Sequence, residues 1–320
     1  MLVEGDACGG INTSTNSGAS WMTNNVPFGT WYVVASSADG NKLAALSWWN
    51  NLLYTSTNAG ANWTSNNPPS TNALNWCAIA SSADGSKLAV AGTTTTNITG
   101  YPHFGWIYTS TDSGATWQIT SAPKTNWCSI ACSADGRKLV AAAYDDNPYN
   151  GINNGVFIST NSGGTWTAIS LPGTLMSYIR VACSTNGNNL IVAPVNSSRP
   201  ERIYTSTNSG ATWLTNNVPT ASWSSVASSA DGSKLVAAMN NGPIYTWQYK
   251  PTLCFSSSMP NMVVFWASSP FASGYILQQN SDLASTNWTA VGLTVNDDGI
   301  NMSVTISPII GNSYFRLVHP

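Results

Sequence analysis

The chain has 320 residues, of which only 8% are charged and 42% hydrophobic, with 15 tryptophans and a formal charge of −2. That length supplies a sizeable core, the apolar content argues against disorder, and the near-neutral charge gives no electrostatic reason to expect nucleic acid or a basic membrane-binding face. No apolar run approaches the roughly 18 residues of a bilayer-spanning helix. Residues 1–10, MLVEGDACGG, lack the basic start and apolar stretch of a signal peptide. The first repeat begins incomplete, so further N-terminal sequence is expected in the natural chain or its precursor.

Taken in chain order, the sequence writes one eight-letter phrase five times: STNSGASW at 14–21, STNAGANW at 56–63, STDSGATW at 110–117, STNSGGTW at 159–166 and STNSGATW at 206–213. A second phrase, first seen as SSADGNKLAAL at 36–46, alternates with it. The closing tryptophans, Trp21, Trp63, Trp117, Trp166 and Trp213, lie 42, 54, 49 and 47 residues apart. Such a period marks a stacked supersecondary unit. Within 127–169, WCSIACS reads as a strand, Asp135-Gly136 as a tight turn and KLVAAAY as a second strand. GVFIST then reads as a third strand, the boxed phrase as a turn and WTAI as a fourth. Four short antiparallel strands per repeat describe a propeller blade.

In the boxed phrase, Asn16, Asn58, Asp112, Asn161 and Asn208 can close an Asx-type turn, Gly18 and its counterparts admit a positive φ, and the tryptophan packs over the hairpin. The phrase resembles the Asp-box, S-x-D-x-G-x-x-W, of the sialidase-like BNR propellers, with Asn for Asp in four copies. The resemblance covers about residues 11–249 and implies the fold; it implies little about activity, since the family's boxes lie away from its active face. First strands beginning at Trp31, Trp76, Trp127, Tyr178 and Trp223 predict an all-β, five-bladed propeller over 1–250. Residues 11–24 are expected to join 223–249 and close the ring. From 251 to 320 the box stops and short strands predict a small β-sandwich. Its string LQQNSDLASTNW…YFRL resembles C-terminal modules on secreted proteins of Verrucomicrobia-like bacteria.

Cysteine usage fits no zinc pattern. Cys132 and Cys183 take the place of Ser36, Ser81 and Ser228, and Cys77 matches Cys128, so all four read as small buried residues. Cys8 and Cys254 lie outside the repeats, where either a disulfide or two free thiols is open.

Variable loops on the opposite end of the blades from the boxes are where binding is expected. They carry Tyr101, His103 and Trp106, then Asp145, Asp146 and Tyr149, then Arg199, Glu201 and Arg202. The strand-opening rings Trp31, Trp76, Trp127, Tyr178 and Trp223 read either as a stacking platform for sugars or as interior packing, the commoner fate of tryptophan. Arg180 breaks the repeat, because Val33, Ala78, Ser129 and Ser225 stand at its position. An unpaired charge near the axis is costly, so a carboxylate from Asp145, Asp146 or Glu201, or an anionic ligand, is expected beside it.

Most carboxylates are repeated turn residues, which leaves Asp145, Asp146 and Glu201 as the catalytic candidates for glycoside hydrolysis. The sialidase arginine clamp is not met, since Arg180, Arg199 and Arg202 come from one blade. His103 and His319 are too few for a histidine metal site or a supported triad, and the Asp145-Asp146-Asn147 spacing matches no calcium loop. No metal or cofactor is expected. The leading expectation is an extracellular or cell-surface bacterial propeller binding a glycan or other polymer. The alternatives are a glycoside hydrolase and a structural or adhesive repeat protein without a small ligand.

Overall fold

The computed structural model describes the chain outside residues 1, 6–8, 28, 48–50, 70–73, 95–104, 145–154, 173–177, 196–201, 217, 249–252, 259–260, 268–274, 299–300, 308–312 and 319–320. The described residues are all-β, in eight antiparallel sheets with no helix. They divide into two compact units, Met1–Thr246 and Trp247–Pro320.

Six sheets follow one another in the first unit. Sheet I holds β1 (Leu2–Gly5), β2 (Ile11–Ser14) and β3 (Met22–Thr23). Sheet II holds β4 (Trp31–Ser36), β5 (Leu43–Ser47), β6 (Leu53–Ser56) and β7 (Thr64–Ser65). Sheet III holds β8 (Leu74–Ser81), β9 (Leu88–Thr94), β10 (Gly105–Ser110) and β11 (Gln118–Ile119). Sheet IV holds β12 (Trp127–Cys132), β13 (Leu139–Ala143), β14 (Gly155–Ser159) and β15 (Thr167–Ile169). Sheet V holds β16 (Tyr178–Cys183), β17 (Leu190–Val195), β18 (Tyr204–Ser206) and β19 (Leu214–Thr215). Sheet VI holds β20 (Trp223–Ser228), β21 (Lys234–Met239) and β22 (Ile244–Gln248).

Sheets II to V bury their second strand on both faces. In β5, β13 and most of β17 no residue reaches solvent, which is why LAALS and LVAAA lack the polar alternation of a half-exposed strand. Small alanines there let successive sheets approach closely. Larger side chains fill the remaining space: Ile11, Trp31 and Tyr54 between sheets I and II, Leu46, Leu53 and Trp76 between II and III, Ile107, Trp127 and Phe157 between III and IV. Burying one such tryptophan removes on the order of 150–250 Å² from water, roughly 4–6 kcal/mol of transfer free energy.

Both recurrent phrases form turns at the same end of the sheets. In sheet III the Ser110 hydroxyl donates to Asp112 Oδ1 (2.7 Å) and accepts from the Gly114 N–H (2.8 Å), while Asp112 Oδ1 accepts from the Thr116 N–H (2.8 Å). Two successive left-handed residues, Ser113 at φ 60° and Gly114 at φ 88°, make the hairpin. Asparagine serves as well in the other copies: Asn161 Nδ2 donates to Thr165 Oγ1 (3.0 Å), where Asp112 Oδ2 accepts from Thr116 Oγ1 (2.5 Å). The hydroxyl simply reverses its sense. The two turns of one sheet are tied by N–H to carbonyl bonds, Ala59 to Asn41, Ser113 to Ser86, Ser162 to Arg137 and Ser209 to Asn188.

The first–second turns also join sheet to sheet. The N–H of Ala38 donates to Ala83 O, that of Ala83 to Ala134 O, that of Ala134 to Thr185 O and that of Thr185 to Ala230 O, at 2.7, 2.7, 2.7 and 2.8 Å. Beside this run, Lys87 Nζ donates to Asp135 O and Asn189 Nδ2 to Asp231 O, while Lys138 Nζ donates to Asn188 Oδ1. Gly85, Gly136, Gly187 and Gly232 are pressed on the stem of the preceding sheet's lysine or asparagine; a Cβ on Gly85 would stand 2.7 Å from Lys42 Cβ.

One sequence expectation fails in its detail. Residues 11–14 pair with Leu2–Gly5, and not with the strands of 223–248, so the hairpin at 11–24 belongs to a sheet of its own. The physical reason lies in the N-terminal residues LVEG, which form β1 and take the pairing edge of β2.

In the second unit, β23 (Cys254–Ser258), β24 (Asn261–Ala267), β28 (Asn301–Ile306) and β27 (Asn296–Asp297) make one sheet in that order. β26 (Thr289–Ala290), β25 (Ile276–Asn280) and β29 (Tyr314–Val318) make another. Val264, Trp266 and Val304 from the first pack with Leu277, Phe315 and Leu317 from the second.

Two outcomes follow from the turns. Gly85→Ala places a Cβ at φ +64° against Lys42, and is expected to destabilise the fold by about 1–2 kcal/mol, measurable by urea unfolding. Asp39, Asp84, Asp135 and Asp231 are held below the usual carboxylate range, first by the hydroxyls of Ser37, Ser82, Ser133 and Ser229; Asp231 is lowered to about 2. A depressed folded-state pKa stabilises above the unfolded value of about 3.9 and loses that contribution as pH falls through the folded value. The melting temperature is therefore expected to hold above about pH 5 and to fall progressively from about pH 4 toward pH 2.

Candidate functional site

The first strands of sheets II to VI converge on one cavity of about 550 Å³. Tyr32 and Val33 come from β4, Asn75 to Ile79 from β8, Asn126 to Ile130 from β12 and its approach, Tyr178 and Arg180 from β16, and Ser225 from β20. The repeat explains this convergence, because every equivalent strand opens at the same distance from its SADG-type turn and each turn is bonded to the next.

Register distinguishes one strand from the others. In β4, β8, β12 and β20 the pairing slips by one residue between Trp31 and Val33, Trp76 and Ala78, Trp127 and Ser129, and Trp223 and Ser225. The extra residue is Tyr32, Cys77, Cys128 or Ser224. Such a bulge re-aims the side chains on either side of it. β16 pairs without a slip: Tyr178 faces Val195, Ile179 faces Pro194 and Arg180 faces Ala193. Ile179, wholly buried between sheets IV and V, therefore takes the core place that tryptophan holds elsewhere. Tyr178, aligned with the tryptophans by sequence, is pushed out and is 50% exposed.

The tryptophans themselves offer no open face. Trp31, Trp76, Trp127 and Trp223 are buried and meet Tyr54, Tyr108, Phe157 and Tyr245 edge to face, with ring centroids 5.3, 5.9, 5.4 and 5.6 Å apart. This geometry is favoured for aromatic pairs. As a stacking platform the five-ring set reduces to Tyr178, whose ring centroid lies 4.8 Å from that of Tyr144.

Among the described residues, Arg180 is held by main-chain carbonyls. Its Nη1 donates to Cys128 O (2.8 Å) and its Nε to Ser224 O (3.3 Å). Both acceptors are carbonyls of bulge residues on the neighbouring sheets, displaced from regular ladder pairing, so the guanidinium links β12, β16 and β20. The Asp145, Asp146 and Glu201 carboxylates named as its partners lie outside the described residues, as do Tyr101, His103, Tyr149 and Arg199. Of the remaining loop candidates, Arg202 is exposed and stands apart from the cavity lining. Trp106 packs against the core between sheets II and III, with Lys124 Nζ 5.0 Å from its ring centroid.

Cys77 and Cys128 line the cavity, a placement the sequence reading missed. The Cys77 thiol donates to Trp127 O (2.9 Å) and that of Cys128 to Ile179 O (3.3 Å). Burial pushes both up, Cys128 to about 11, and outweighs the lowering effect of the Arg180 charge. Cys132 and Cys183 are likewise pushed up by burial, each to about 12. No group of three metal-ligating side chains occurs among the described residues.

Thiolate is the reactive form of cysteine. Alkylation of the native protein near pH 8 is accordingly expected to modify the exposed Cys254 and to spare Cys77, Cys128, Cys132 and Cys183. Peptide mass mapping reads the pattern, and labelling of Cys128 at the rate of Cys254 contradicts the buried arrangement.

No family model matches this chain, and neither does any curated protein. Among solved structures it resembles an ancestral GH74 enzyme at 14% identity and TM-score 0.57, over 93% of this chain and 46% of that one. The GH74 enzyme of Niastella koreensis is similar at 17% identity and TM-score 0.56, over 90% and 42%. The nidogen/laminin complex structure matches at 10% identity and TM-score 0.54, over 74% and 84%. The chain thus spans less than half the length of the two GH74 enzymes. These neighbours are β-propeller proteins, and the likeness at such identity is one of fold: this chain has a β-propeller architecture.

Proposed function

We propose that the chain is an extracellular or cell-surface binding propeller that takes a glycan or related polymer into its axial cavity. The observation that carries this reading is the cavity itself. It has the volume of a ligand site, and Asn75, Asn126, Ser129, Ser225 and Arg180 supply hydrogen-bonding groups among apolar walls. Its described lining holds no carboxylate, whereas glycoside hydrolysis calls for two flanking the bond. Five first strands share the cavity, which supports a ring of five blades, sheets II to VI, with sheet I stacked on sheet II. The repeated Ser-x-Asn/Asp-x-Gly hairpins support placement among the BNR/Asp-box propellers. The shared core of the two C-terminal sheets supports an appended β-sandwich. Low charge and a surface rich in Ser, Thr and Asn favour an extracellular or cell-surface location.

A glycan array followed by a polysaccharide-hydrolysis screen tests the reading. Retention of at least one glycan class with no release of reducing sugar is expected, and the triple variant Asp145→Asn, Asp146→Asn, Glu201→Gln is expected to bind as the parent does. Hydrolysis abolished by that variant supports the glycoside hydrolase instead; absence of glycan binding leaves the structural or adhesive role.

A further inference from the structure

We infer that the axial cavity recognises an oxyanion on its ligand, a carboxylate or sulfate ester, through the Arg180 guanidinium, with the exposed ring of Tyr178 beside it. This rests on the reading of the cavity as the binding site and specifies what enters it.

Charge is the first argument. Among the described lining residues Arg180 carries the only formal charge, and the two thiols nearest it stay neutral because burial raises them. The second is donor count. A guanidinium presents five N–H groups, and among the described residues two of Arg180's are engaged, by Cys128 O and Ser224 O. Those two bonds fix the plane of the group without neutralising it. The other three donors meet no acceptor among the described residues, and they form a planar fork suited to carboxylate or sulfate oxygens.

The repeat supplies the third argument. Ser129 and Ser225 stand at the same paired position in sheets IV and VI, so the strand geometry itself needs no arginine there. The missing bulge in β16 then presents Tyr178 and Arg180 together, the former half exposed and the latter half buried. No other described first strand combines an exposed aromatic with a cation.

The test is calorimetric titration of a de-esterified oligogalacturonide, the same oligomer as its neutral methyl ester, and a sulfated cello-oligosaccharide. Parent protein, Arg180→Ser and Arg180→Lys are compared, each with its melting temperature. We expect an acidic oligomer to bind the parent about tenfold or more tighter than the ester, as one charged hydrogen-bonded contact provides. Arg180→Ser should remove that difference and leave the ester's affinity within about twofold. Arg180→Lys, which keeps the cation should the serine variant fail to fold, should retain a reduced preference. Whichever acidic oligomer wins identifies the group. Equal binding of acid and ester, or a preference that survives in Arg180→Ser, overturns the inference while the cavity remains a site. Binding of none of the oligomers overturns the inference together with the reading it rests on.

Discussion

Everything in the first unit hangs on one run of peptide hydrogen bonds, from Ala38 through Ala83, Ala134 and Thr185 to Ala230. Each bond joins the same residue of successive repeats, so it sets both the spacing and the rotation from one sheet to the next. Side-chain packing alone would tolerate sliding between flat apolar faces. A directional bond at one end of the first strand removes that freedom, and the lysine or asparagine beside it spans the same junction. The turn's own demands follow. The glycine must be left-handed to let the alanine N–H face the next sheet, and the aspartate or asparagine must hold the turn closed from within.

Given a fixed junction at one end, variation is confined to the other. There the four tryptophan-bearing strands absorb an extra residue as a bulge, and β16 does not. The length from Tyr178 to its turn equals that from Trp127 to its own, so nothing was inserted or deleted. A change of side chain sufficed: Ile179 with Pro194 opposite accepts regular pairing, and the tryptophan's place in the core is filled by the smaller branched residue. The carbonyls of Cys128 and Ser224, bulged on either side, then find Arg180 between them.

The sequence made the propeller legible because its turns are written in residues with strong local preferences. Asn-Ser-Gly and Ala-Asp-Gly specify left-handed backbone, and hydroxyl and carboxylate groups two residues apart specify the bonds inside each turn. The register of β16 was not legible, since Tyr178 aligns with tryptophan by position and only the pairing partner of Ile179 reveals the shift. Nor were the two carbonyls that Arg180 meets, because a main-chain carbonyl carries no letter. Burial of the tryptophans was foreseeable from their apolar neighbours, and the cavity-facing thiols of Cys77 and Cys128 were concealed by their resemblance to ordinary core residues.

The outermost strands have a bearing on how copies of this molecule behave in a crowded setting. In sheets II, III and V they are two residues long, Thr64–Ser65, Gln118–Ile119 and Leu214–Thr215, and wholly exposed. A strand edge recruits another chain by offering a run of unpaired peptide groups. An edge of two residues ends before a visiting strand can gain cooperative pairing, so the rims of sheets II, III and V are poor templates for fibrils, whereas β22 of sheet VI offers a five-residue edge.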